Sequence, residues 1–171
     1  MIMYDASNLT FPRNIEKTAD FVKQNKDRIV IEGACDEIVD AGGGEQSVLA
    51  SPERAEEYFA KTGVDLIVVN LGTEHRASNT DLEYHGDLAR EISAIVGPKL
   101  VLHGTSSVGP EQIRKLFADG ICKVNVWTSL ERDSSPVLFE EMLRNAAKIV
   151  GKNRAEELSE EGLLGPQADR E

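Results

Sequence analysis

Four short apolar runs, each separated from the next by an amphipathic stretch long enough for a helix, constrain this chain more than any other feature. They are Arg28 to Glu32 (RIVIE), Asp65 to Asn70 (DLIVVN), Lys99 to His103 (KLVLH) and Ile121 to Val126 (ICKVNV). Each is β-branched and apolar at successive positions, as a strand covered on both faces must be. Their starts lie 37, 34 and 22 residues apart, which leaves room for a crossover helix between parallel strands. A first fragment, MIMYD, reads as the end of one more strand. The pattern is α/β with a parallel sheet.

The ends of the intervening helices are marked by residue chemistry. Ser51-Pro52 sets a capping hydroxyl before a proline at the first helical position, and Gly63 follows PERAEEYFAKT. Pro110 opens PEQIRKLFAD ahead of Gly120, and Pro136 opens VLFEEMLRNAAKIV ahead of Gly151. Apolar residues at helical spacing also run from Pro12 to Asp27, through Ile15, Ala19 and Val22, and from Asp81 to Val96, through Leu88, Ile92 and Ile95. The stretch from Asn153 to Glu171 is acidic and poor in apolar residues, which predicts a short helix and a loose tail. The expected division is a barrel-type domain over residues 1–151 and this helix and tail over 152–171.

A doubly wound sheet and a (β/α)8 TIM barrel both fit the alternation. A barrel normally needs about 250 residues, and this chain has 171. The expectation is therefore a small open sheet or the later part, about half, of a barrel.

Composition narrows the function. With 30 Asp and Glu against 19 Lys and Arg, the net charge is −11, the wrong sign for gripping a phosphate backbone. The longest apolar run, Leu66 to Val69, is far below the roughly 20 residues of a membrane helix. MIMYDASNL lacks the cationic start and apolar run of a signal peptide, and two cysteines, Cys35 and Cys122, make no disulfide framework. A reducing cytoplasm is the simplest compartment.

The unusual polar residues collect at strand ends, where parallel α/β folds bind ligands. The last two strands are followed by His103-Gly104-Thr105-Ser106-Ser107 and by Asn125-Val126-Trp127-Thr128-Ser129. Gly104 lets the backbone approach an anion, while Ser106 and Thr128 offer hydroxyls beside backbone N–H groups ahead of a helix. Such residues also make ordinary turns and caps, but two such loops at adjacent strand ends favour a phosphate site. His75 and His103 lie at or just past the ends of neighbouring strands, an arrangement suited to one zinc ion. His85, within LEYHGDLAREI, reads as structural. Asp5 and Glu32, also at strand ends, fit metal ligands or proton-transfer groups, and equally helix caps or ion-pair partners. Cys35 and Cys122 read as packing residues. Trp127 fits a cover for the phosphate loop or a filler of the barrel interior.

YDASNLTFPRNI, TGVDLIVVNLGTEH, LVLHGTSS and GICKVNVWT, in this order, resemble segments of the class II, metal-dependent fructose-bisphosphate aldolases and their tagatose-bisphosphate relatives. The resemblance runs from Met1 to about Val150. It implies a (β/α)8 barrel in which zinc polarises the carbonyl of dihydroxyacetone phosphate, so that a ketose bisphosphate is cleaved or formed through an enediolate. A different divalent metal, or an added monovalent cation, is also compatible with it. Carried over, His75 and His103 match two of three zinc-binding histidines. Gly104, Ser106, Asn125 and Thr128 match positions that hold the substrate's phosphate and hydroxyls, and Asp5 matches an acidic residue near the metal.

Departures from the pattern carry their own expectations. The third histidine and the proton-transferring aspartate belong to a His-x-Asp-His segment expected upstream of this chain. Arg76 replaces the glycine after the second ligand, and Gly104-Thr105-Ser106 replaces Gly-Gly-Ser. Glu32-Gly33-Ala34 lacks the second carboxylate of an acidic pair, and Gly44-Glu45-Gln46 resembles a flexible acidic loop with glutamine for a carboxylate. The expectation is an aldolase segment that is inactive alone and acts on a sugar phosphate, either as a homo-oligomer or with a complementing N-terminal half. The alternative is a catalytically silent sugar-phosphate-binding or assembly module.

Overall fold

In a computed structural model that describes residues 1–38, 48–75 and 82–163, five short strands form one parallel sheet. They are β1 (Ile2–Tyr4), β2 (Ile31–Ala34), β3 (Leu66–Val68), β4 (Leu100–Leu102) and β5 (Ile121–Val124). Each strand pairs with the next in sequence. A doubly wound sheet would reverse its strand order at a switch point; here the order runs straight through, as in part of a barrel. Arg28 and Ile29, expected in β2, instead turn back to bond the Asn25 carbonyl, and Ile31–Ala34 becomes the segment that pairs on both sides.

The connecting helices α1 (Phe11–Asn25), α2 (Pro52–Thr62) and α3 (Gly86–Val96) cover one face. The Ser51 hydroxyl accepts from the Arg54 N–H at 3.2 Å and Gly63 ends α2 at φ +70°, as the cap chemistry predicts. Helix α3 starts at Gly86, five residues later than its apolar spacing predicts, because the His85 N–H is taken by the Leu71 carbonyl. After Pro110, α4 is a single turn, Pro110–Ile113, and turns complete the path to β5.

Ile31, Ile67, Leu100, Leu102 and Ile121 face these helices and meet Tyr58, Ala89 and Ile92 in the main core. Each fully buried Ile or Leu there contributes about 1.5–3 kcal/mol. The other face carries a smaller cluster of Ala34, Val68 and Val101, continued along the register by Glu32 and Lys123. Gly33 lies under Tyr58: a Cβ there would sit 2.8 Å from the tyrosine oxygen. Tyr58 donates to Thr18, Thr18 to Asn14, and Asn14 to the Ala34 carbonyl at 2.8 Å, which fixes the end of β2.

The chain divides into two compact units, Met1–Trp127 and Thr128–Glu171. The second holds α5 (Thr128–Arg144), α6 (Ala146–Val150) and α7 (Lys152–Glu160), with Gly151 at φ +86° between the last two. Helix α5 begins eight residues before Pro136 and runs through it. Residues 39–47, 76–81 and 164–171, with Gly44-Glu45-Gln46, Arg76 and the acidic tail, lie outside the described residues.

Candidate functional site

The inner face of the first unit converges on Glu32. This residue sits on β2, between β1 and β3, and is completely buried. Its Oε1 lies 3.0 Å from His103 Nε2 and its Oε2 accepts from Lys123 Nζ at 2.6 Å. Burial pushes the carboxyl up, but hydrogen bonds from His103 and Lys123 and the lysine charge overcome that and hold it below the usual carboxylate range.

A β-bulge makes this arrangement possible. Leu100 pairs with Ile121 and Val101 with Lys123, so Cys122 is the extra residue between β4 and β5. Strict alternation from Ile121, which faces the helices, would send Lys123 and Asn125 outward. The inserted residue turns both inward. Lys123 Nζ then also donates to Asn125 Oδ1, and Asn125 Nδ2 lies 2.7 Å from His103 Nε2.

His103 follows β4 directly and His75 lies in the loop after β3. Two contacts lock these loops together. The Thr73 hydroxyl donates to the His103 carbonyl at 2.7 Å. Gly104, at φ +66°, leaves room for the Glu74 backbone, which would lie 2.7 Å from a Cβ. As a result His75 Nε2 and His103 Nδ1 come to 3.3 Å, with ring centroids 5.5 Å apart.

That spacing fits a metal ion. Two imidazole nitrogens about 2.05 Å from a tetrahedral zinc stand about 3.3–3.4 Å apart. An ionised carboxylate only accepts, so Glu32 draws the His103 proton to Nε2 and leaves Nδ1 as the basic nitrogen facing His75. Among the described residues, no group of three or more His, Cys, Asp and Glu is placed to hold a metal; the histidine pair offers two candidate ligand nitrogens.

Both histidines line a cavity of about 390 Å³ together with Asp5, Ser7, Asn8 and Asp36. Asp5 accepts from the Ser7 N–H and hydroxyl at 2.9 and 2.6 Å. Ala34, where the resemblance expects a carboxylate, is on the same wall. Thr105 Oγ1 donates to the Asn125 carbonyl at 2.7 Å and so ties the loop after β4 to the loop after β5. Beside it the Ser106 hydroxyl is buried and has no hydrogen-bond partner among the described residues, a polar group suited to a ligand oxygen. Trp127 is exposed rather than inside the sheet's curvature. Thr128 opens the second unit and is described with it.

A larger cavity of about 580 Å³ lies beside α3, but its buried Asp119 is already paired with Arg90 and Tyr84. Of the residues singled out in the sequence, His75, His103, Glu32 and Asn125 come together here, joined by Lys123 and Asp36, which the sequence reading does not single out. Lys123 has no local signal, since only the bulge turns it inward. Asp36 occupies a position beyond β2 where it binds Arg54 Nε at 3.1 Å.

Comparisons with known proteins identify the family and the fold. The family model for class II fructose-bisphosphate aldolase matches residues 1–162. A fructose-bisphosphate aldolase of Staphylococcus epidermidis is 32% identical over 145 residues, covering 81% of this chain and 50% of the relative. The chain thus spans about half the length of the curated relatives it matches. The crystal structure of a putative fructose-1,6-biphosphate aldolase from Coccidioides immitis superposes with a TM-score of 0.71 at 28% identity, over 81% of this chain and 52% of that one. The YdjI aldolase of Escherichia coli gives a TM-score of 0.66 at 23% identity, over 99% and 61%, and supports the fold. A partial (β/α)8 barrel with its polar residues at one strand-end rim, matched over nearly its whole length by one family model, belongs to the class II fructose-bisphosphate aldolase family.

Proposed function

We propose that this chain carries the metal and phosphate rim for reversible, zinc-assisted cleavage of a ketose bisphosphate such as fructose 1,6-bisphosphate into dihydroxyacetone phosphate and glyceraldehyde 3-phosphate. The observation that carries the proposal is the 3.3 Å approach of His75 Nε2 and His103 Nδ1 beside a polar cavity. These two nitrogens would hold the metal, whose chemistry is Lewis-acid polarisation of a ketone oxygen. Glu32 holds the His103 ring in the binding tautomer. Ser106, Asn125 and Gly104 are proposed to take the substrate's phosphate and hydroxyls, and Asp5 to supply a carboxylate near the metal. A monovalent cation beside the phosphate is compatible with this rim.

A third ligand and a proton-transfer aspartate are proposed to come from a His-x-Asp-His segment outside this chain. The same segment would bring strands to the open edges of β1 and β5, where Ile2, Met3 and Val124 are exposed. A full barrel needs eight strands, three more than this sheet has. Free Cys35 and Cys122 fit a reducing cytoplasm, and no helix among the described residues is long and apolar enough to cross a membrane.

A second reading, a silent sugar-phosphate-binding module, is favoured by the two-histidine ligand set and by Ala34 in place of a carboxylate. Zinc titration and an aldol cleavage assay, on this chain alone and with the His-x-Asp-His segment supplied, separate the two. Turnover only in the presence of the segment supports the aldolase. Ligand binding without turnover in either case supports the silent module, and absence of both zinc and ligand binding rejects both.

A further inference from the structure

We propose that Lys123 is a positioning residue: it fixes which end of the Asn125 amide faces the bound sugar phosphate. The inference rests on the reading of this rim as a substrate site, and it assigns a role to a side chain that the family resemblance left unassigned. Lys123 reaches the inner face only through the bulge at Cys122. There its ammonium donates to Glu32 Oε2 at 2.6 Å and to Asn125 Oδ1. An ammonium has three hydrogens and no lone pair. The amide oxygen must therefore face Lys123, and the amide NH2 must point toward His103.

Glu32, Lys123, Asn125 and His103 close a ring that has one contact too many. His103 Nε2 lies 3.0 Å from Glu32 Oε1, which only accepts, and 2.7 Å from Asn125 Nδ2, which only donates. A neutral imidazole nitrogen satisfies one of them and not both. A hydrogen bond to a charged carboxylate is roughly twice as strong as one between neutral groups, so the proton sits on Nε2 and is given to Glu32. The Asn125 NH2 is then left with hydrogens for an acceptor outside the ring, and a phosphate or hydroxyl oxygen in the site is such an acceptor. Were the amide free to turn over, its oxygen would share the Nε2 proton with Glu32 and relieve the conflict. Lys123 is the group that prevents this, because turning the amide would set NH2 against ammonium. The lysine thus holds Asn125 in the orientation that the ring alone disfavours and that a substrate anion uses.

The test is Lys123→Met in the full chain, with zinc and dihydroxyacetone phosphate titrated separately by calorimetry. The expected result is a loss of about 10–100-fold in phosphate-ligand affinity, the worth of one hydrogen bond to a charged group, while zinc affinity stays within about threefold. Native circular dichroism of Lys123→Met, at an unchanged zinc affinity, is the expected sign that the loss is local to the Asn125 amide. Unchanged ligand affinity in Lys123→Met overturns the proposal. Equal losses of zinc and ligand also overturn it, because they mark general damage to the site. If the wild-type chain binds neither zinc nor the ligand, the substrate-site reading fails, and the Asn125 side-chain amide still tests the lysine. Its NH2 protons show a nuclear Overhauser contact with the His103 ring in wild type, and Lys123→Met abolishes it; persistence of that contact overturns the role.

Discussion

His75 Nε2 and His103 Nδ1 approach to 3.3 Å although 28 residues and an intervening helix separate them. The pair is assembled by the loops, not by the strands alone. Thr73 and Gly104 clamp the two strand ends together, and Glu32 orients one ring from behind.

Replacing either histidine by alanine is expected to weaken zinc binding by more than tenfold, since partners one layer further out already contribute about 10–100-fold to metal affinity. Calorimetric titration of wild type, His75→Ala and His103→Ala checks this. Zinc affinity unaffected by both changes would remove the basis for a metal at this rim.

Gly104→Ala is expected to destabilise the first unit and loosen the histidine pair. The left-handed backbone alone costs a non-glycine residue about 1–2 kcal/mol, and the added Cβ would press on the Glu74 backbone at 2.7–2.8 Å. Urea midpoints measure the stability loss, and a parallel zinc titration measures the loosening. A variant as stable as wild type would mean that the two loops do not meet as described.

Acid should expose the work of Glu32. Its carboxyl is held below its ordinary value of 4.5 in the folded chain, so its contribution is present above that value and fades as pH falls through the lower folded one. Glu32→Gln, which leaves Lys123 without its anion, is expected to cost about 1–3 kcal/mol at pH 7. That penalty should shrink steadily toward pH 3. Denaturant melts of both proteins across this range supply the comparison, and a pH-independent difference would contradict the assignment.

The two thiols should differ in reactivity. Cys35 is buried, and burial together with the Asp36 charge pushes its thiol far up. Cys122, the bulge residue, is exposed and also pushed up, by its partial burial and the Glu32 charge. One equivalent of a disulfide reagent is expected to react in native protein at pH 8 and a second only after unfolding. Cys122→Ala should abolish the first. Two fast equivalents in the native protein would show that the packing around Cys35 opens readily.

Open edges at β1 and β5 expose Ile2, Met3 and Val124, and unpaired parallel strands recruit partners. Size-exclusion chromatography of the chain alone is expected to show species larger than a monomer. Supplying the complementary strands should convert these to one defined complex, whereas a clean monomer at all concentrations would count against completion of the barrel at these edges.

Much of this was legible from residue order. Alternating apolar runs and capped helices place five strands within a few residues, because burial on two faces leaves a periodic trace that survives in one dimension. Glycine and hydroxyl residues at strand ends mark the rim for the same reason: backbone geometry there restricts which side chains are accommodated. Element ends were less readable. Helix α3 begins at Gly86 and β2 at Ile31 because distant carbonyls and neighbouring strands compete for their backbone groups.

What the amino-acid order determined by itself is the α/β alternation, the family, and the rim on which His75, His103, Ser106 and Asn125 stand. Tertiary structure alone decided that the strands run in unbroken order as part of a barrel, and that the bulge at Cys122 turns Lys123 inward to meet a glutamate 91 residues away. Strand order and bulges arise from pairing between segments far apart in the chain, and no local pattern of residues encodes which neighbour a strand will find.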